Sequence, residues 1–221
     1  MSKFTKEAMQ VKNALISKGL ETPFSNYMKN KKNKKILITT YIKKIMKILN
    51  LNLDNDSLSQ TPSRIARMYV EEIFSGLDYM NFPKITVIKN TKEINEMITM
   101  NNIILHSICE HHFLIFEGRA TVAYVPKKFL IGLSKINRIV NFFSKRPQIQ
   151  ERLTHQILIA LQILLNTNNV AVSIIARHFC VQARGVRDSE SNAQTLACGG
   201  VFQNKSNLRN EFLQITNNIK F

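Results

Sequence analysis

Apolar residues recur at helical spacing through the first eighty residues of the chain, with one apolar stripe in each periodic segment. This spacing predicts three helices, over residues 3–18, over residues 34–49, and from Thr61 to just before Gly76. In the third helix, the Thr61 hydroxyl is predicted to cap the first turn and Pro62 to occupy its first position. Residues 1–80 are therefore predicted to form a mainly helical N-terminal region.

After Pro83 the pattern changes to short β-prone runs. The predicted strands cover residues 85–88, 103–105, 119–125, 170–178 and 181–186. Two helices are predicted between them, one capped by Ser134 and running to Phe143, and a longer one opened by Pro147. Strands, two helices and strands again predict an antiparallel α+β domain over residues 81–221.

Composition is that of a folded protein without a membrane span. The chain has 221 residues, 44% of them hydrophobic, which suffices for a packed core. No apolar run approaches the roughly 20 residues of a membrane helix, and the first residues, MSKFTKEAMQ, lack the apolar stretch of a secretory signal. Three cysteines are an odd number, which favours thiol or metal-ligand roles over disulfides. We therefore expect a cytoplasmic protein with no membrane contact.

The net charge of +16 is high enough to suit a polyanionic or phosphorylated partner. However, Lys and Asn are spread along the whole chain, with the densest run at residues 29–35. No run interleaves basic and aromatic residues, as single-strand binding proteins do. We interpret the charge as a solvated basic surface and expect no nucleic-acid partner. A structural zinc module that binds nucleic acid through its charge is the alternative from a different class.

Cysteines and histidines near the ends of predicted strands carry the main chemical signal. Cys109 and His112 are three residues apart, a spacing at which sulfur and nitrogen can reach one zinc ion. Cys180 offers a third ligand, and strand alternation puts it on the same face as His178. Three protein ligands leave room for a water whose pKa zinc lowers to roughly 7, as in catalytic sites. His111 and His178 are then candidates to move protons. Each residue alone is more simply a buried thiol or a core histidine, but their coincidence favours the metal site.

A second group of residues suits an anion. Ser134 begins a predicted helix whose free N–H groups attract negative charge, and Lys135 and Arg138 share one face of that helix. Arg184 adds a guanidinium beside Gly185. The chain has no glycine-rich P-loop, so a triphosphate would rest on these side chains. The alternative is ordinary surface charge.

A third candidate is the pair Gln150 and Glu151 in the first turn of the longer helix. A carboxylate that accepts two parallel hydrogen bonds suits the N1–H and the 2-amino group of guanine. The alternative is an acidic residue that stabilises the positive end of the helix dipole.

Several separated segments resemble GTP cyclohydrolase I of the bacterial type. They are SICEHHF at 107–113, GLSKINR at 132–138, RPQIQERLT at 146–154, residues 180–188, and TPSRIA at 61–66. The likeness runs from about residue 50 to the end and is fainter in the N-terminal helices. It implies a tunnelling fold, in which antiparallel strands of several subunits close a barrel with helices outside. It also implies a homodecamer of two pentamers, with active sites at subunit interfaces.

The same resemblance implies zinc as cofactor, GTP as substrate and a set of site residues. The zinc ligands are Cys109, His112 and Cys180; the acid–base residues are His111 and His178; the guanine anchor is Glu151 with Gln150; and the triphosphate contacts are Ser134, Lys135, Arg138, Arg184 and Arg64. The implied reaction opens GTP at C8, releases formate and closes a new ring to give 7,8-dihydroneopterin triphosphate, the first step of folate biosynthesis.

Two points qualify this expectation. Cys198 is not at a ligand position of the family and is interpreted as a packed thiol. A reductase or synthase that acts on a pterin-like base in the same fold is a further alternative. The set of Cys109, His112 and Cys180 argues against it, because the relatives with those reactions use other ligands or none.

Overall fold

Helices form the N-terminal third of the chain and strands dominate the remainder. The computed structural model describes residues 4–25 and 30–217. Its helices are α1 (Lys6–Ser17), α2 (Lys31–Ile48), α3 (Asp56–Ser59), α4 (Thr61–Arg67), α5 (Leu133–Ser144), α6 (Gln150–Leu165), α7 (Phe179–Gln182), α8 (Val201–Asn204) and α9 (Ser206–Asn217). Its strands are β1 (Val87–Lys89), β2 (Ile98–Cys109), β3 (Ile115–Tyr124), β4 (Phe129–Ile131), β5 (Pro147–Gln148), β6 (Val170–His178) and β7 (Ala193–Cys198). The predicted helices over 3–18 and 34–49 correspond to α1 and α2, and residue 3 and Lys29 of the lysine-rich run lie outside the described residues.

The main sheet has five strands in the order β5-β2-β3-β6-β7. All neighbours are antiparallel except β5, a two-residue strand that runs parallel to the end of β2. Strands β1 and β4 form a separate antiparallel pair. The predicted mixed α+β architecture is therefore confirmed, and the strand predicted at 170–178 is correct at both ends.

One face of the sheet and three helices enclose the main core. Helix α6 contributes Leu153, Ile157 and Leu161, all fully buried, and α1 packs on α6 through Val11 and Leu15. Burying each such side chain away from water stabilises the fold by roughly 1.5–3 kcal/mol. Because α1 shares this core, the first helix packs together with the sheet. The predicted boundary at residue 80 stays a prediction.

Strands β3 and β6 approach very closely at Gly118. A Cβ atom at this position would lie 2.3 Å from the carbonyl oxygen of Ile175 and 2.8 Å from the Cβ of Ala176. Such contacts are far inside van der Waals distance, so only glycine fits here. The close approach keeps the two central strands in the register that brings their ends to the candidate site.

Two predicted helix starts are displaced in the structure. Thr61 does not cap α4; Gln60 occupies the cap position without a side-chain hydrogen bond, and the helix continues as a π-helical segment, Met68–Ile73. Pro147 does not open α6. It pairs with Ile108 at the end of β2, so the helix begins only at residue 150. The helical spacing of apolar residues continues back through this segment, so the sequence does not indicate that Pro147 pairs with a strand.

The strand predicted at 181–186 is wrong. Residues 179–182 form the short helix α7, and the following loop returns the chain to the sheet as β7. Gly185 and Arg187 both have positive φ, at 62° and 59°, which bends the backbone away from an extended path. Asp188 then accepts hydrogen bonds from the N–H groups of Glu190 and Ser191. Turn chemistry therefore outweighs the β-propensity of the valines.

A buried arginine ties the segment after α1 to the core. The Arg146 side chain is 0% exposed, and its Nη1 donates to Glu21 Oε1 at 2.6 Å. Its guanidinium carbon lies 4.8–5.0 Å from the centres of three aromatic rings, among them Tyr79. Burial raises the pKa of Tyr79 far above its ordinary value, so its hydroxyl stays protonated and donates to Glu21. The ion pair therefore links the segment after α1 to the core.

None of the helices in the described part of the chain is both long enough and apolar enough to cross a lipid bilayer.

Candidate metal centre

The first part of the candidate site is a tight turn between β2 and β3, residues 109–113, here called the thiol turn. Two backbone hydrogen bonds close it: Cys109 N–H donates to Leu114 O at 2.8 Å, and Phe113 N–H donates to Cys109 O at 2.9 Å. The turn thereby places the buried Cys109 at the end of a central strand, with the two histidines that follow it exposed. The sequence predicts this placement of Cys109 and the two histidines near the end of a strand.

Phe113 holds the turn from the side of the N-terminal helices. Its φ is +53°, in the left-handed region that a bulky residue rarely adopts. Its ring contacts those of Tyr69 and Phe74 edge-on, with ring centres 6.4 and 5.4 Å away. Strain of this kind persists when surrounding contacts fix it, so the aromatic contacts stabilise the shape of the turn.

The structure brings two cysteines and one histidine together. The Sγ atoms of Cys109 and Cys180 are 3.7 Å apart, and the ligand atoms of Cys109, Cys180 and His178 all lie within 4.8 Å of one another. Two sulfurs bound tetrahedrally to one zinc ion at about 2.3 Å each would be about 3.8 Å apart. Burial, followed by the neighbouring Cys109 thiol, raises the pKa of Cys180 in the absence of a metal. The donor set of two sulfurs and an imidazole therefore suits zinc.

The histidine in this group is not the one predicted as a ligand. His112 is exposed, and Arg184 Nη1 donates to its Nε2 at 2.7 Å. His111 lies nearer to the sulfurs, with Nδ1 at 3.6 Å from the Sγ of Cys109. The two predicted cysteine ligands are thus brought together, His178 is beside them, and the role of His112 as third ligand stays a prediction.

Gln150 determines which nitrogen of His178 carries the proton. The Gln150 side chain is buried, and its Nε2 donates to Ile174 O at 3.0 Å, to Ala193 O at 2.9 Å and to Thr195 Oγ1 at 3.2 Å. The carbonyls can only accept, so the amide cannot be turned over and its Oε1 must face His178. His178 therefore donates through Nε2 at 2.9 Å and keeps the lone pair on Nδ1. Sequence analysis assigned Gln150 to guanine binding and missed this contact.

The surroundings of His178 favour the uncharged imidazole. Its ring stacks on Phe116, with centres 4.5 Å apart and an interplanar angle of 9°. Burial lowers the pKa of His178 below its ordinary value; the Glu151 carboxylate opposes this effect and His111 adds to it. Glu151 itself is exposed in the first turn of α6, as predicted. The site therefore combines an uncharged imidazole with a carboxylate close enough to influence it.

The residues predicted to bind phosphate lie at the surface. Helix α5 begins at Leu133 with Gly132 in the cap position, so Ser134 is an exposed residue of the first turn and not the cap. The reason is that the chain already turns into the helix at Gly132, whose carbonyl accepts from the N–H of Lys135. Lys135 is half-buried and Arg138 exposed on this helix.

Two further predicted cations are also exposed, Arg64 on α4 and Arg184 after α7. Arg184 contacts the site through His112. For Arg64 and the residues of α5, convergence on one ligand stays a prediction.

Sequence analysis missed one pair of residues at this site, Glu110 and Arg152. Arg152 Nη2 contacts the Glu110 carboxylate and donates to Pro147 O at 3.0 Å, and its Nε donates to Gln148 Oε1 at 3.1 Å. The backbone N–H of Glu110 also donates to Gln148 O, at 3.0 Å. Both residues lie in motifs named above, Glu110 in 107–113 and Arg152 in 146–154, but no spacing rule relates position 110 to position 152.

Fold and site together define an α+β protein in which thiol and imidazole donors that could hold a metal ion are gathered at the ends of two central strands. The family model described as GTP cyclohydrolase I matches residues 38–217, and the chain belongs to this family. It is 66% identical to the GTP cyclohydrolase 1 of Wigglesworthia glossinidia brevipalpis over 97% of this chain and 99% of that protein. It is 58% identical to that of Sodalis glossinidius (strain morsitans) and 56% identical to that of Pectobacterium carotovorum subsp. carotovorum (strain PC1), over 97% of each chain. The predicted family is confirmed.

Proposed function

We propose that this chain opens the purine ring of GTP by hydrolysis at C8, releases formate and rearranges the product to 7,8-dihydroneopterin triphosphate. This is the reaction that begins folate biosynthesis and the activity of the family to which the chain belongs. The observation that carries the proposal is the group of ligand atoms from Cys109, Cys180 and His178 within 4.8 Å of one another.

In this proposal Cys109, Cys180 and His112 would hold a zinc ion. The 3.7 Å separation of the two sulfurs supports the cysteine pair. His112 is preferred as the third ligand because it stands at the ligand position of the family motif, three residues after Cys109. A bound zinc ion would supply Lewis acidity that lowers the pKa of water to roughly 7.

His178 and His111 would move the protons. Ring opening requires a proton to be taken from water and another to be given to a purine nitrogen as its bond to C8 breaks. Because Nε2 of His178 carries the ring proton, Nδ1 keeps a lone pair, and this atom can accept the first proton. His111 is exposed beside Cys109 and can exchange protons with solvent.

Glu151 would anchor the guanine base, since its exposed carboxylate can accept from N1–H and the 2-amino group together. Its neighbour Gln150 contacts His178, which supports assigning Glu151 to the same site. The triphosphate would rest on the exposed cations. These contacts are assigned to Arg184, Lys135, Arg138, Arg64 and the hydroxyl of Ser134.

The tunnelling fold and a homo-oligomer, up to a decamer of two pentamers, are also part of the proposal. Within the described chain, the outer edge of β7 has no strand beside it, and Leu196 on this strand exposes 39% of its surface. A second copy could extend the sheet at this edge and cover this side chain. The free thiols favour a reducing, cytoplasmic environment.

Two cysteine variants test the function. Zinc-loaded protein incubated with GTP is expected to release formate and to give a pterin that becomes fluorescent on oxidation. Cys180→Ala should lose both zinc and this product, because one of two sulfur ligands is gone. Cys198→Ala is the matched control: this half-buried thiol on β7 is outside the group, so zinc and turnover should stay. Full turnover by metal-free Cys180→Ala would refute the proposal.

A further inference from the structure

The thiol turn is fixed to α6 by a side chain that touches neither the cysteines nor the proposed substrate contacts. Arg152 is the third residue of α6, and its side chain is only 10% exposed, whereas the Glu110 side chain is 29% exposed. A charge pair this well covered is screened less by water than a surface pair and has a defined geometry. Its position between two parts of the candidate site makes it a candidate for function as well as stability.

Arg152 joins three elements at once. One Nη reaches the Glu110 carboxylate in the thiol turn, and the same nitrogen and Nε bind Pro147 and Gln148 of β5. Strand β5 is itself bound to the turn, since Cys109 pairs with Gln148. The guanidinium therefore closes a ring of contacts that runs from the cysteine through β5 to the helix and back.

This ring of contacts connects the metal-binding part of the site to the part proposed to bind guanine. Cys109 lies immediately before Glu110, and Glu151 lies immediately before Arg152. Fixing residue 110 to residue 152 therefore fixes the distance between the sulfur ligand and the carboxylate proposed to hold guanine. Outer residues that orient metal ligands typically change metal affinity or activity by 10–100-fold when replaced.

We propose that Arg152 is a positioning residue that, through Glu110, presets the thiol turn for metal binding and aligns it with the guanine-binding end of α6. This inference rests on the proposed function. Neither Glu110 nor Arg152 is among the ligand, acid–base or substrate-binding residues proposed above.

The test measures metal binding directly. Zinc affinity is determined by competition with a chelator, and cobalt is substituted so that thiolate coordination is read from the absorption spectrum. Arg152→Met should lower zinc affinity about 10–100-fold and weaken the cobalt–thiolate band. Arg152→Lys keeps the charge but cannot reach all three acceptors, so an intermediate loss is expected.

A double variant separates positioning from general loss of stability. Glu110→Gln should give a loss similar to that of Arg152→Met, and the double variant should be no worse than either alone, because both remove one interaction. With zinc saturating, kcat of these variants should fall while KM for GTP changes little. Additive losses, or wild-type zinc affinity in Arg152→Met, would overturn the inference.

Arg146→Met is the matched control. It breaks another buried arginine–carboxylate pair six residues earlier, between Arg146 and Glu21, which does not contact the thiol turn. It should reduce stability without altering the cobalt spectrum, and an equal spectral change there would count against a special role for Arg152. Failure of the proposed function would look different: the wild-type protein would bind zinc and yet give no pterin from GTP.

Discussion

The segments next to the two sulfur ligands differ in how firmly they are held. The thiol turn is held by backbone hydrogen bonds, by the Glu110–Arg152 pair and by the aromatic contacts of Phe113. The segment after Cys180, residues 183–192, here called the arginine loop, mainly contacts itself, and Val186 in it is 82% exposed. One half of the site is thus set before any ligand arrives. The other half is free to adapt to the ligand.

This difference suggests a division of labour. Metal binding gains from a fixed geometry, because ligands that are already oriented lose little entropy when the ion arrives. A long flexible triphosphate would gain from cations that can follow it, and Arg184, which is proposed to contact it, lies in the arginine loop.

The largest effect is expected for the third zinc ligand. His112→Ala should lower zinc affinity by more than about 100-fold, because loss of a direct ligand exceeds the usual effect of an outer residue. His178→Ala should retain zinc and lose turnover, since its proposed role is to move protons. Both are measured by metal analysis of purified protein beside the GTP assay. The reverse result would move the third ligand from the thiol turn to the end of β6.

An intermediate effect is expected at Phe113. Phe113→Ala removes the ring contacts with Tyr69 and Phe74 but keeps the strained backbone, at a cost of roughly 2 kcal/mol in the free energy of unfolding. Phe113→Gly should be more stable than Phe113→Ala by about 1 kcal/mol, because glycine adopts φ of +53° without strain. Denaturant unfolding of both variants gives the comparison. The usual order, alanine above glycine, would show that the turn relaxes and is not rigidly held.

The smallest effect is expected in the arginine loop. Gly185 has φ of +62°, but a Cβ there would meet no atom within 4 Å. Gly185→Ala should therefore cost only about 1 kcal/mol of stability, which is the strain of a left-handed φ at a position without a steric clash. Zinc content and kcat should be unchanged, while KM for GTP rises as Arg184 is displaced. Loss of zinc in this variant would mean that the loop is as important to the metal site as the turn.

Sequence patterns predicted what depends on local periodicity and residue chemistry. Helix α6, strand β6 and the meeting of Cys109 with Cys180 follow from apolar spacing and from the scarcity of sulfur ligands in the chain. Residues 181–186 are predicted to form a strand because Val181 and Val186 have β-propensity. The structure has the end of α7 and then a loop here, with positive φ at Gly185 and Arg187, which apolar periodicity does not reveal.

Long-range polar contacts are the part that could not be predicted. Arg152 looked like any charged residue of a helix, since its partner Glu110 is 42 positions away. Gln150 is predicted to bind guanine together with Glu151, beside it in the first turn of α6. Its burial depends on β7, which returns beside β6 and supplies two of the acceptors. Such pairings are fixed by the assembled sheet and leave no mark on local sequence.

The guanidinium of Arg146 has a consequence for how the chain can be divided. Its counter-charge, Glu21, comes from the segment that follows the first helix, well before the sheet begins. A shortened protein that starts after residue 25 would keep the cation in its interior and lose the anion, a loss of roughly 3–5 kcal/mol. The sheet and its helices therefore depend on α1 and the segment after it for charge neutrality as well as for hydrophobic cover. Removing these residues would lower the free energy of unfolding.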